Sequence, residues 1–161
     1  MDKLALVKSK IISLESVKDI LKLNKNKKVV FTNGCFDIIH RGHIEYLALA
    51  ASYGDILIVG VNSDKSVRKL KGKNRPLQDE CSRSTILAAL QFVTYVIIFD
   101  EDTPYKLISE IKPNILIKGS DYKKEDIVGY DIVTKNAGEV LTIDFIDGYS
   151  TTSIINKLIE K

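Results

Sequence analysis

Five short runs, each apolar on both faces, constrain the fold of this chain more than any other feature. They are Val29-Val30-Phe31, Ile56 to Val61, Tyr95 to Phe99, Ile115-Leu116-Ile117 and Val140 to Ile143. A strand with one wet face alternates apolar and polar residues, whereas these runs fit strands covered on both sides in a parallel sheet. Helical stretches separate them, over about 42–52, 64–70, 79–92, 104–111, 125–136 and 151–160. Thr103 followed by Pro104 reads as an N-cap with proline in the first helical position, and Pro113 marks the exit from that helix. Repeated β-α alternation in 161 residues predicts one α/β domain with a doubly wound, five-stranded parallel sheet and helices on both faces. Ligands in such a sheet bind beyond the carboxyl ends of the strands, where the strand order reverses.

Composition narrows the class. Hydrophobic residues at 45% and a net charge of only +3 argue against disorder. No stretch approaches the roughly 20 apolar residues of a membrane span, and no signal-peptide pattern opens the chain. Cys35 and Cys81 form neither a disulfide framework nor a zinc spacing, so a cytoplasmic location is expected. The first 28 residues carry eight lysines, and Ser13 is placed to cap a helix from Leu14 to about Asn24. Residues 1–27 therefore read as a helical extension packed on a body of 28–161, its lysines solvated rather than bound to RNA or a membrane.

The segment after the first strand is T-N-G-C-F-D-I-I-H-R-G-H, and its histidines, His40 and His43, are the only two in the chain. Neither G-x-G-x-x-G nor G-x-x-x-x-G-K-[ST] occurs, which disfavours a dinucleotide site or a P-loop. If a helix begins near Arg41, both histidines lie around its first turn, where unpaired N–H groups and the helix dipole attract anions. Gly42 removes a side chain where a phosphate approaches the backbone. The plainer alternative is a strand-exit cap at His40 and an ordinary helix-surface residue at His43.

This stretch resembles the H-x-G-H signature of the nucleotidyltransferase superfamily, to which cytidylyltransferases and class I aminoacyl-tRNA synthetases belong. The chain has no K-M-S-K-S-type loop, unlike a synthetase. Thr32 to Asp37, Val61 to Asp64, Leu70 to Pro76, Lys118 to Tyr122 and Asp147 to Ile155 occur here in the order found in heptose 1-phosphate adenylyltransferases. The resemblance runs from about Lys10 to the C-terminus, and in many bacteria the unit is fused behind a ribokinase-type sugar kinase, for which this chain is too short. It implies a Rossmann-like fold and transfer of AMP from ATP to D-glycero-β-D-manno-heptose 1-phosphate, giving ADP-heptose for lipopolysaccharide core synthesis.

On that resemblance His40, His43 and Lys71 are the expected catalytic residues, holding charge that builds on the α- and β-phosphates. ATP would meet Thr32, Asn33, Gly34, Cys35, Phe36, His40, Gly42, His43, Arg83, Lys118, Gly119, Asp121, Tyr122, Ser150, Thr151 and Thr152. The sugar phosphate would meet Asp37, Asn62, Asp64, Lys71, Lys73 and Arg75. No protein metal site is expected; Mg²⁺ would accompany ATP, held mainly by the phosphates. Phe145 stands where the wider superfamily often has an arginine, which argues against a glycerol- or choline-phosphate cytidylyltransferase.

Residue chemistry alone leaves alternatives open. Lys65, Arg68, Lys69, Lys71, Lys73 and Arg75 suit either a phosphate loop or a solvated charged one. Arg83 suits a phosphate contact or a surface ion pair. Another small phosphate acceptor, such as glycerol phosphate, a flavin or pantetheine, fits the same pattern. A regulatory nucleotide-binding module or an RNA-binding domain is a different class of rival. RNA binding predicts aromatics among the cations, and residues 64–76 contain none. A homodimer is the expected assembly from the habits of small α/β transferases.

Overall fold

The computed structural model describes residues 2–144, 146 and 148–159. Its centre is a five-stranded parallel sheet of order β3-β2-β1-β4-β5. The strands are β1 (Val29–Gly34), β2 (Ile56–Asn62), β3 (Tyr95–Phe99), β4 (Ile115–Gly119) and β5 (Glu139–Ile143). From β1 the chain winds to β2 and β3 on one side, then crosses to β4 and β5 on the other. The order thus reverses between β1 and β4, which places the ligand crevice at their carboxyl ends.

Successive residues of each strand enter opposite layers, as the period of two requires. Val30, Leu57, Val59, Val96, Ile115 and Ile117 pack with Leu47 and Ala50 of α3 (Arg41–Ala51) and with Leu87 and Ala88 of α5 (Glu80–Ala89). Val29, Phe31, Ile56, Ile58, Ile97 and Leu116 form the other layer. It is closed by Val17 of α2 (Leu14–Leu23), Leu107, Ile108 and Ile111 of α6 (Tyr105–Ile111), and Val133 of α7 (Tyr130–Lys135). Each such side chain removed from water contributes roughly 1.5–3 kcal/mol, so the two layers dominate the stability of the fold.

The N-terminal segment holds a helix that the sequence pattern did not predict. α1 (Lys3–Ser9) is capped by Asp2, whose Oδ1 accepts from Leu4 N at 3.0 Å. Beyond it Val96 N donates to Lys10 O and Ile12 N to Val96 O, each at 2.9 Å, so Ile11 bridges in parallel onto the outer side of β3. Ser13 Oγ then accepts from Ser16 N and starts α2 at the expected place.

Two expected elements differ. α6 starts at Tyr105 with Pro104 in the cap position and no side-chain cap bond, so Thr103 lies outside the helix. The stretch 125–136 is not continuous: a 3-10 turn (Lys124–Asp126) precedes α7. Gly129 interrupts it with φ of +92°, and a Cβ there would lie 2.7 Å from Ile108 Cδ1, so only glycine fits this joint. The last helices are α4 (Asp64–Lys71) and α8 (Thr151–Ile159). Phe145 and Asp147 lie outside the described residues. Among the described residues no helix is long and apolar enough to cross a membrane.

Candidate active site

A cavity of about 470 Å³ opens at the carboxyl edge of β1, β2 and β4. Five segments distant in sequence meet there: 33–37 at the end of β1, Asn62 ending β2, Lys71 and Arg75, Lys118, Gly119, Asp121 and Tyr122 at the end of β4, and Thr151 with Thr152 opening α8. His43 and Tyr46 of α3, with Leu70, Asp102 and Pro104, complete the wall.

α3 begins at Arg41 with His40 in the N-cap position, and the His40 side chain makes no capping hydrogen bond. The two imidazoles instead stack, with centroids 3.8 Å apart and planes inclined by 25°. Phe36 meets His43 edge-on at 5.3 Å, held in the left-handed region at φ of +49°. Both Nδ1 atoms are buried with no hydrogen-bond partner among the described residues. Such atoms cost free energy unless a ligand or water meets them, so they mark a place where something binds. Gly42 makes the stack possible: a Cβ there would lie 3.1 Å from the His40 ring and 3.2 Å from Tyr149 Cβ.

Burial, with His40 alongside, lowers the His43 pKa to about 4, and burial lowers that of His40 as well. The pair is therefore neutral near pH 7 despite an Ile38 backbone hydrogen bond that favours charged His43, and each ring carries one N–H donor. A measurable consequence follows from linkage. The unfolded chain, with His43 near 6.5, binds more protons than the folded chain between pH 6.5 and about 4. The His43 contribution to stability is thus fully present above pH 6.5 and is lost as pH falls through that window. The loss reaches about 2–3 kcal/mol at pH 4. Thermal melts of the wild type and His43→Gln at pH 7.5 and 4.5 check this, with the wild type losing more stability.

Asp37 was expected on sugar hydroxyls, but its carboxylate is already occupied. It is 2% exposed, and its oxygens accept from Arg75 Nε (2.5 Å), Leu77 N (2.8 Å) and Gln78 N (3.0 Å). Gln78 Nε2 also donates to Asp37 O at 2.6 Å. Asp37 thus pins the strap 72–78 across the mouth of the cavity and orients Arg75. Because the Arg75 contact uses Nε, the terminal guanidinium nitrogens remain available to an anion on the cavity wall.

Arg83 is neither a phosphate ligand nor a surface residue in this structure. It is 0% exposed and absent from the cavity wall. Nε donates to Gln78 O (3.0 Å), Nη1 to Cys35 O (2.6 Å) and Nη2 to Asp64 Oδ1 (2.8 Å). These bonds tie the strap, the β1 exit and α4 together. Asp64, expected on the sugar, instead faces Arg83 and lies away from the cavity. Thr32 is also a core residue: it is 0% exposed and its hydroxyl lies 2.8 Å from Tyr46 Oη. Lys73 is exposed and off the wall. Ser150 caps α8 by accepting from Ser153 N at 3.0 Å, so only the next two hydroxyls reach the cavity.

Of the other residues that the resemblance names, Asn33, Gly34, Cys35, Phe36, Asn62, Lys71, Gly119, Asp121 and Tyr122 lie on the wall. Burial raises the Cys35 thiol above its usual range, so it stays protonated near pH 7. Lys118 Nζ donates to Asn33 O at 3.2 Å, and burial lowers its pKa to about 8. Tyr46 was missed from sequence. It sits one turn after His43 on the same helix face, which was the available signal. Its phenol, pushed by burial to about 12, donates to Ile117 O at 3.2 Å beneath the cavity.

Residues 31–157 match the family model described as cytidylyltransferase-like. This chain belongs to the cytidylyltransferase-like family. It is accordingly a nucleotidyltransferase, with His43 of the H-x-G-H run on its cavity wall and His40, off the wall, stacked against it. The chain is 57% identical over 152 residues to "Bifunctional protein HldE" of Campylobacter jejuni subsp. doylei, covering 94% of this chain and 32% of that protein. The protein of the same name from Geobacter metallireducens is 53% identical over 153 residues, covering 94% and 31%. The chain thus spans about a third of the length of these relatives. A solved "lipopolysaccharide core biosynthesis protein" from Thermoplasma volcanium superposes with a TM-score of 0.62 at 32% identity, covering 77% of this chain and 99% of that one. A pantoate-beta-alanine ligase from Francisella tularensis, at 18% identity and a TM-score of 0.58, shares the fold.

Proposed function

We propose that this nucleotidyltransferase carries AMP from ATP to D-glycero-β-D-manno-heptose 1-phosphate, releasing pyrophosphate and ADP-heptose. The observation that carries the reading is the pair of buried, unpartnered imidazole nitrogens at the start of α3, beside a cavity with cations on two other walls. The relatives' names and the ordered motifs from Thr32 to Ile155 supply the acceptor. In this mechanism an oxygen of the sugar phosphate attacks the α-phosphorus of ATP in line. The bond from the α-phosphorus to the bridging oxygen breaks, and pyrophosphate leaves with that electron pair. The nucleophile is already an anion, so no general base is required.

Catalysis then consists of positioning and electrostatic stabilisation. The neutral His40 and His43 rings donate to oxygens whose charge grows in the transition state. Lys71 and Arg75 neutralise phosphate on the strap side, and Thr151 and Thr152 receive the departing pyrophosphate at the α8 N-terminus. Mg²⁺ would supply further neutralisation of phosphate charge. Among the described residues no three His, Cys, Asp or Glu side chains converge on a metal position. Asp121 and the hydroxyls of Thr151 and Thr152 on the cavity wall would receive the water shell of such an ion. ATP as substrate and two free thiols fit a reducing cytoplasm, and a homodimer remains the proposed assembly.

The test is pyrophosphate release with ATP, CTP, GTP and UTP against heptose 1-phosphate, glycerol 3-phosphate, pantetheine phosphate and flavin mononucleotide. The expected product, identified by phosphorus NMR, is ADP-heptose from the first pair alone. Preferential turnover of CTP with glycerol 3-phosphate would overturn the substrate assignment. RNA binding with a steep salt slope and no pyrophosphate release would overturn the enzyme reading.

A further inference from the structure

Lys118 and Asn33 are the penultimate residues of β4 and β1, so the two straddle the point where the strand order reverses. The Lys118 ammonium reaches across that join and donates to Asn33 O at 3.2 Å. It lines the cavity, and no other hydrogen bond or ion pair meets it among the described residues. Two of its three donor positions are therefore unused. Asn33 Oδ1, beside it on the same wall, is buried and unpartnered as well. A buried ammonium with spare donors is costly in an empty cavity and is relieved when an anion arrives.

The surroundings say which part of a substrate that anion belongs to. Lys71 at the end of α4 and Arg75 on the strap stand beside the β1–β2 half of the sheet, whereas Lys118 and Asp121 belong to the β4–β5 half. Two ligands held one in each half react at the join, and the ammonium of Lys118 is the cation placed there. We propose that Lys118 directly contacts the α-phosphate of the bound nucleotide, at the phosphorus that is attacked. The proposal rests on the AMP-transfer reading above and assigns one phosphate to one residue.

The groups lining the cavity with Lys118 are Asp121 and Tyr122 on its own loop, Cys35 and Asp37 on the β1 exit, His43 and Tyr46 on α3, and Lys71, Arg75 and Asp102 across the cavity, with Asp37 paired to Arg75 and Asp102 to Lys69. Burial outweighs the favourable charge of Asp121 and lowers its pKa to about 8. His43 titrates well below this range and Tyr46 well above it. Nucleotide binding between pH 7.5 and 9 therefore follows the charge on Lys118, and binding takes up a proton there.

The experiment is calorimetric titration of the whole chain with AMP, whose single phosphate is the α-phosphate, and separately with pyrophosphate. For the wild type, the AMP Kd should rise roughly eightfold from pH 7.5 to 9, with proton uptake seen by comparing two buffers of different ionisation heat. Lys118→Met should weaken AMP about tenfold or more at pH 7.5, abolish the pH dependence and leave pyrophosphate binding within about twofold. Lys118→Arg should restore AMP binding and move the pH dependence out of this range. If Lys118→Met fails to fold, the wild-type titrations and the arginine variant still decide. A flat AMP Kd without proton uptake, or loss confined to pyrophosphate, would overturn the assignment. Failure of the wild type to bind any nucleotide would instead remove the AMP-transfer reading itself.

Discussion

His43→Ala lowers kcat by about a hundredfold or more, the scale of losing one preorganised donor to developing charge. ATP binding weakens far less, because the ground-state phosphates keep Lys71, Arg75 and the helix N-termini. The structure adds a reason for the fold to survive. The ring stacks on His40 and meets Phe36 at an edge, but it belongs to neither core layer. Its removal also relieves an unpartnered buried nitrogen, so the variant melts within a few degrees of the wild type at pH 7.5. Steady-state kinetics, ATP titration and a thermal melt on this variant check all three statements. Near-normal turnover would make the stacked pair a structural feature and remove the proposed mechanism.

Arg83→Ala produces the largest loss of stability, about 3–5 kcal/mol, the usual cost of breaking a buried ion pair at one partner. For a domain of this length that corresponds to a drop in Tm of roughly 10 °C. The deletion orphans two carbonyl oxygens, those of Cys35 and Gln78, and releases Asp64. Arg83→Lys recovers only part of the loss, because one ammonium cannot reproduce three bonds fixed in a planar fork. At temperatures where the lysine variant is folded, its ATP affinity stays within about threefold of the wild type. A hundredfold loss of ATP binding with an unchanged Tm would restore Arg83 to the phosphate site.

These predictions separate what the residues announce from what only their directions reveal. The strands were legible because burial on both faces leaves a continuous apolar run; all seven residues of β2 are buried. The histidine turn was legible because position after a strand and before a helix decides where such groups project. Asp37, Asp64, Thr32 and Arg83 were assigned to substrate because their chemistry suits phosphates and sugar hydroxyls. The same chemistry suits a buried clamp equally well, and only the three-dimensional path of the strap decides between the two. Asp64 opens α4, yet its carboxylate turns to Arg83 and its backbone N–H donates to Glu80 Oε2. The break at Gly129 follows from contact with Ile108, a residue 21 positions earlier that no local pattern relates to it. α1 escaped notice because its seven residues contribute no buried side chain, and its cap, Asp2, precedes a run that reads as a charged tail.

The attachment of Ile11 beside β3 bears on how the chain keeps to itself. Without it, β3 would end the sheet on that side and present free backbone donors and acceptors to any extended segment nearby. Residues 10–12 occupy two of those positions through Val96, and the lysine at 10 also reaches Leu90 O at 3.0 Å. A variant shortened to begin at Ser13 would keep every cavity residue but uncover this apolar margin. Light scattering at rising concentration should show it forming larger aggregates where the full chain goes no further than the proposed dimer. The lysine-rich beginning of the chain thus covers one margin of the sheet and contributes no residue to the cavity wall.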